Sequence, residues 1–192
     1  MSEATLGPAV FFDRDGTLIR ERVYLSDPEN AVLIDTAPRA LADLGAAGFK
    51  LVIVTNQSGI ARGLYAESDY HAVAKRVDEL LVQAGTSVDE TVYCPHHPDF
   101  GGPCDCRKPL TGMYRQAAEV LGIDLAHSFY VGDKVTDVLP ALELGGKGIL
   151  VRTGYGCDEE SGVPDGVTVV DHVGDAAQLI MRLADAVPKA TE

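Results

Sequence analysis

Four aspartates follow short apolar runs. Phe12-Asp13-Arg14-Asp15-Gly16-Thr17 carries two, and Gly132-Asp133-Lys134 with Asp137 one turn later carries two more. Singly, an Asp in such a place is an ordinary turn or helix cap. Gathered at one edge, four carboxylates would repel one another and hold their protons unless a cation joined them, and Mg²⁺ is the cation suited to one or two carboxylates plus a phosphate. With such an ion on Asp13 and Asp133 the repulsion between a carboxylate and a phosphate is screened, so Asp13 could attack phosphorus. Asp15, two residues on, could protonate an alkoxide leaving group and then deprotonate the water that cleaves the acyl phosphate. Arg107 and Lys134 would add positive charge nearby.

A second constellation is Cys94-Pro95-His96-His97 followed by Cys104-Asp105-Cys106. Two pairs of soft ligands, each at i and i+2 and separated by residues 97–103, can close a tetrahedral site of three cysteines and one histidine around Zn²⁺. A strained disulfide or three separate buried thiols are the alternatives. His96 repeats the i+2 spacing, while His97 could equally contact substrate or solvent. Four protein ligands leave no open position, so the zinc-binding loop 94–106 reads as structural, ordering Arg107 and Lys108 that follow it.

The elements that must position these groups follow from periodicity. Pro8 to Phe12, Lys50 to Thr55, Glu90 to Cys94, Ser128 to Val131, Gly148 to Val151 and Val167 to Val170 read as strands. Ala37 to Ala47, Glu67 to Ala84, Thr111 to Leu121, Thr136 to Leu144 and Gly174 to Ala186 read as helices. Strict alternation predicts an α/β fold, a Rossmann-like parallel sheet with helices on both faces. The ligand site then lies beyond the carboxyl ends of the strands. Residues 1–192 read as one domain. No insertion large enough for a cap domain separates the motifs, so the loop Leu18 to Asn30 and the zinc loop are expected to shape the pocket. Gly145-Gly146-Lys147-Gly148 follows a helix instead of opening one and is read as a turn, not a dinucleotide motif. Cys157 is read as a loop thiol, and His71, His127 and His172 as structural or solvated.

Charge narrows the partners. The 192 residues hold 16 Lys+Arg against 29 Asp+Glu, a net charge of −13. Such a chain repels nucleic-acid phosphates and anionic membranes. The start of the chain does not read as a signal peptide, and no apolar run reaches the ~18 residues of a membrane span. A cytoplasmic monomer acting on a small molecule is expected, with reduced cysteines. Screening beyond about 8 Å leaves room for a locally positive site, to which Arg107 and Lys134 would contribute, despite the global sign.

The motif Asp13-Arg14-Asp15-Gly16-Thr17 resembles the signature of the haloacid dehalogenase superfamily of phosphatases. Val54-Thr55-Asn56 resembles its second motif, Lys108 its third, and Gly132-Asp133-Lys134 with Asp137 its fourth. The resemblance implies a covalent aspartyl-phosphate mechanism, Thr55 and Lys108 as binders of the transferred phosphoryl group, and the Asp15 backbone carbonyl as a Mg²⁺ ligand beside Asp13 and Asp133. The Cys/His block is similar to the zinc-loop subgroup, which holds heptose-bisphosphate and histidinol-phosphate phosphatases. Tyr24, the stretch Thr55 to Gly63 with Asn56, Gln57 and Ser58, and Arg107 fit the heptose enzymes. That resemblance implies removal of the C7 phosphate of D-glycero-D-manno-heptose 1,7-bisphosphate, a small phosphorylated sugar. An Arg107 at the pocket mouth would repel the amine of histidinol phosphate and favour a second phosphate. Histidinol-phosphate hydrolysis is the alternative. A phosphosugar-binding module that has lost catalysis is a third, and would be expected to have lost Asp13 or Asp15.

Overall fold

The computed structural model describes residues 6–185. Six strands form: β1 (Ala9–Phe12), β2 (Lys50–Asn56), β3 (Glu90–Cys94), β4 (Phe129–Gly132), β5 (Lys147–Val151) and β6 (Thr168–Val170). The helices are α1 (Ala37–Ala46), α2 (Glu67–Gln83), α3 (Gly112–Leu121), α4 (Val135–Leu144), a short α5 (Gly156–Glu159) and α6 (Val173–Asp185). All the strand pairings are parallel, in the order β3-β2-β1-β4-β5-β6. The fold is the expected α/β Rossmann-like sheet, and no inserted cap domain stands among the described residues.

Successive strand residues point to opposite faces, and the chain supplies an apolar residue to both. Val10, Phe12, Leu51, Ile53, Phe129 and Val131 pack under α1, α2 and α6. Ala9, Phe11, Val52, Val54 and Tyr130 pack under α3 and α4. On the second face Phe11 stacks on Tyr130 at 5.1 Å and meets Tyr114 edge-on at 5.2 Å, a rigid floor beneath the ends of β1 and β4.

The strand order reverses at β1. The chain runs outward to β2 and β3, then returns to place β4 on β1's other side, so a crevice opens beyond the carboxyl ends of β1 and β4. Asp13 follows β1 and its N–H still donates to Val131 O at 2.8 Å, extending the sheet by one bond into that crevice. The segment between β1 and α1 folds back over the site: Ile19 bridges Leu33, Leu18 and Ile19 are buried, and a single 3₁₀ turn runs over Pro28–Asn30. The segment Pro95 to Pro109 is irregular as expected, apart from one 3₁₀ turn at Pro98–Phe100. α5 was not foreseen. It is a single turn, too short to produce an apolar period, and Gly156 stands where a Cβ would overlap the carbonyl of Val151. No described helix is long and apolar enough to cross a membrane.

Candidate active site

Lys108 is the centre of charge. Its side chain is buried, and its ammonium reaches Asp13 Oδ1 at 2.6 Å, Asp137 Oδ1 at 2.8 Å and Val54 O at 2.7 Å. An ammonium has three N–H donors, and each meets an acceptor. Burial alone would lower its pKa; Asp13 and Asp137 outweigh burial and raise it, so Lys108 is a fixed cation. Asn56 holds its backbone from both sides, donating to Lys108 O at 3.2 Å and accepting from Lys108 N at 3.1 Å.

Asp133 lies across from this pair. One carboxylate oxygen accepts from Tyr155 N at 2.8 Å; the other is buried without a hydrogen-bond partner. Burial first, then the charges of Asp13 and Asp137, push its pKa up to about 8. Burial likewise raises Asp137 to about 6 against the opposing pull of Lys108. Carboxylate oxygens of Asp13, Asp133 and Asp137 lie within 4.8 Å of one another. Gly16 and Gly154 close over Asp133, both with positive φ and both at positions where a Cβ would overlap its carboxylate. Hard oxygen donors, excess negative charge and an orphaned buried oxygen together fit a divalent cation. Asp137 is the least available of the three, since its second oxygen accepts from Lys134 N at 3.0 Å.

Asp15 lies outside that carboxylate group. Its Oδ2 takes hydrogen bonds from Arg14 Nε at 3.0 Å and Gln57 Nε2 at 3.1 Å. Two adjoining cavities meet at Asp15, Asn56, Ser58 and Lys134. The inner one, about 160 Å³, is also lined by Asp13, Thr55, Arg107, Lys108 and Asp137. The outer one, about 230 Å³, is lined by Glu21, Arg22, Tyr24, Gln57, Tyr65 and Tyr155 among others. Arg107 therefore faces the inner cavity, and one of its N–H groups donates to His96 O at 3.2 Å. Lys134 stands 4.4 Å from the ring centroid of Tyr155. Gln57 has its amide committed to Asp15, Thr55 and Tyr65, which leaves it little to offer a ligand.

The soft-ligand cluster forms as spaced. Cys94, His96, Cys104 and Cys106 bring their ligand atoms within 4.8 Å of one another. Cys94 Sγ is 3.8 Å from Cys104 Sγ and 3.7 Å from His96 Nδ1, near the edge of about 3.8 Å of a tetrahedron with ~2.3 Å metal–sulfur bonds, while Cys106 Sγ sits closer, 3.0 Å from Cys94 Sγ and 3.2 Å from His96 Nδ1. The four cysteines are free thiols. Of the two histidines it is His96 that joins the cysteines; His97 turns away, its Nε2 2.7 Å from Arg62 Nη2 and its Nδ1 accepting from Asp99 N.

Sequence reasoning overlooked Arg14, Glu21, Arg22, Tyr65 and Tyr155. Arg14 carried a signal, a cation placed between two motif aspartates. Tyr65 and Tyr155 lie in loops with no local pattern.

Comparison with known proteins agrees with this geometry. A family model described as polynucleotide kinase 3 phosphatase matches residues 8–145. A HAD-like phosphatase from Mesorhizobium loti, of known structure, superposes with a TM-score of 0.81 at 38% identity, over 94% of this chain and 88% of that one. The chain belongs to the haloacid dehalogenase-like phosphatases. Within that family it is 44% identical over 153 residues, 77% of this chain and 81% of the relative, to D-glycero-beta-D-manno-heptose-1,7-bisphosphate 7-phosphatase of Yersinia pestis. The D,D-heptose 1,7-bisphosphate phosphatase of B. bronchiseptica, solved with magnesium and phosphate, matches with a TM-score of 0.84 and 34% identity, over 92% of this chain and 99% of that one.

Proposed function

We propose that this haloacid dehalogenase-like phosphatase removes the C7 phosphate of D-glycero-D-manno-heptose 1,7-bisphosphate through an aspartyl-phosphate intermediate. The observation that carries the reading is the buried cluster in which Lys108 neutralises Asp13 beside the orphaned oxygen of Asp133. The names of relatives that span most of the chain supply the substrate.

Asp13 and Asp133 would hold Mg²⁺, with the Asp15 carbonyl. When bound, the ion supplies the positive charge that lets an anionic nucleophile approach a phosphate. The Asp13 carboxylate forms a bond to phosphorus as the bond to the C7 oxygen breaks, and that oxygen takes the proton of Asp15. Thr55 and Ser58 are the hydroxyl donors for the phosphoryl oxygens, and Lys108, its three N–H groups held by Asp13, Asp137 and Val54 O, offsets the charge on them as a fixed cation. In the second half Asp15 accepts a proton from water as the water oxygen bonds to phosphorus and the Asp13–phosphorus bond breaks, restoring both carboxyl groups. The second phosphate meets the cations of the cleft, Arg107 from the zinc loop and Lys134 opposite, with Tyr24 at the outer wall. Cys94, His96, Cys104 and Cys106 would bind a structural Zn²⁺ that fixes the segment carrying Arg107 and Lys108.

Phosphate release from purified protein tests the assignment. The kcat/KM for the heptose bisphosphate is expected to exceed that for histidinol phosphate, and Arg107→Ala to narrow the gap. The reverse preference would overturn the substrate, and an unchanged gap would overturn the role of Arg107.

A further inference from the structure

The carboxyl group of Asp15 is held asymmetrically. Its Oδ2 receives Arg14 Nε at 3.0 Å, Arg14 Nη2 at 2.9 Å and Gln57 Nε2 at 3.1 Å, while its Oδ1 is buried and has no hydrogen-bond partner. The donors are themselves fixed. Arg14 is 2% exposed, with its guanidinium 5.6 Å from the ring centroid of Tyr70. Gln57 Nε2 has a second acceptor, Thr55 Oγ1 at 2.8 Å, and Gln57 Oε1 accepts from Tyr65 OH at 2.7 Å.

The Asp15 carboxylate decides which way the amide faces. A glutamine side chain turned over would present its oxygen to Asp15 and its NH₂ to the phenol. That would set one acceptor against another at Asp15 Oδ2, whereas the phenol oxygen could receive either end of the amide; with Nε2 on Asp15, the Tyr65 hydroxyl donates to Oε1 and holds the amide in place. Burial pushes the Tyr65 pKa up to about 12, so the donor proton is kept throughout the neutral range. The ring is seated against Gly59, where any Cβ would overlap it, and Gln57 N donates to Cys94 O, tying the same segment to β3.

We propose that Arg14, Gln57 and Tyr65 are positioning residues that clamp Asp15 by Oδ2, so that Oδ1 alone exchanges the proton with the leaving group and the attacking water. This rests on the phosphatase reading and assigns Gln57 to the enzyme's own acid/base instead of to the substrate. Oδ1 gives its proton to the ester oxygen as the P–O bond breaks, and regains one from water as the aspartyl phosphate is cleaved. A carboxyl free to rotate would divide its time between two oxygens and lose alignment with the ester oxygen.

The test compares an alkyl phosphate, the heptose bisphosphate, with an aryl phosphate, p-nitrophenyl phosphate, whose leaving group needs little protonation. Single-turnover rates of aspartyl-phosphate formation are measured for wild type, Gln57→Leu and Tyr65→Phe. A positioned acid is worth roughly 10²- to 10⁴-fold, so Gln57→Leu is expected to slow the alkyl substrate by about 10- to 100-fold and Tyr65→Phe by about 3- to 10-fold. Each loss should exceed that on the aryl substrate by severalfold, with KM little changed. Tyr65→Phe keeps the ring against Gly59 and removes one hydroxyl, so it reports even if Gln57→Leu folds poorly. Equal losses on both substrates, or a rise in KM with kcat retained, would overturn the clamp. Failure of the phosphatase reading looks different: wild type would turn over neither ester, or Asp13→Asn would remain active.

Discussion

At the residue scale the site is dominated by one buried triad of charges, Asp13, Lys108 and Asp137, in which every N–H of the ammonium is used. Breaking a buried pair by removing one partner is far worse than never having made it, because the remaining charges have no solvent to retreat to. Lys108→Met is therefore expected to destabilise the fold by about 3–5 kcal/mol, read from urea unfolding, and to abolish turnover. Asp13→Asn should separate the two effects. The amide is nearly isosteric and still accepts from Lys108, so the melting temperature should fall by no more than a few degrees while phosphate release disappears. Retained phosphate release by purified Asp13→Asn would contradict the assignment of the nucleophile.

At the element scale the decisive piece is the irregular segment between β3 and α3. It contributes three of the four soft ligands after the strand, and within it Arg107 and Lys108 enter the inner cavity directly after Cys106. The strand contributes Cys94, and the end of β2 contributes Asn56, which holds the Lys108 backbone at both its N–H and C=O. Protein isolated without chelator is expected to contain one zinc per chain by elemental analysis. Stripping it, or Cys104→Ser, should lower the melting temperature and reduce kcat, because the binding free energy of a structural metal is part of the folding free energy. A full-activity protein without zinc would refute this. Removal of Mg²⁺ should differ in kind, being reversed by adding the ion back.

At the scale of the whole molecule, the acidic crevice sets a pH dependence. Protein groups alone raise Asp133 to about 8 and Asp137 to about 6, above their unfolded values near 3.8. The folded state then binds protons that the unfolded state has released, so this part of the stability is present in full below pH ~4 and is lost as pH rises through about 6 and 8. The chelated protein should therefore weaken over that range as far as these two groups decide it. An added cation that neutralises them should stabilise more at high pH than at low. The expected observation is a Mg²⁺-induced rise in melting temperature that is larger at pH 8.5 than at pH 5. An equal or opposite trend would show that the crevice does not bind the ion through these carboxylates.

Much of this was legible in the chain because the carriers are local. Alternation of apolar runs and helical periods located all six strands and the five long helices to within a residue or two, since buried parallel strands must be apolar on both faces. Asp13, Asp15 and Asp133 were legible from their places after short apolar runs and the paired Cys-x-His and Cys-x-Cys from their spacing, whereas Lys108 was pointed to only by its resemblance to a family motif. Tertiary structure decided what depends on contacts between distant segments. It chose His96 over His97, drew Asp15 out of the carboxylate group, and turned Gln57 inward to Asp15 and Tyr65. It also brought Tyr155 N to Asp133 and buried Arg14 beside Tyr70. Spacing along a chain sets which residues can share a strand end or a loop. The direction of a side chain, and which of its two oxygens is left unpaired, is set by the donors that packing brings from elsewhere, and those leave no periodic trace in the sequence.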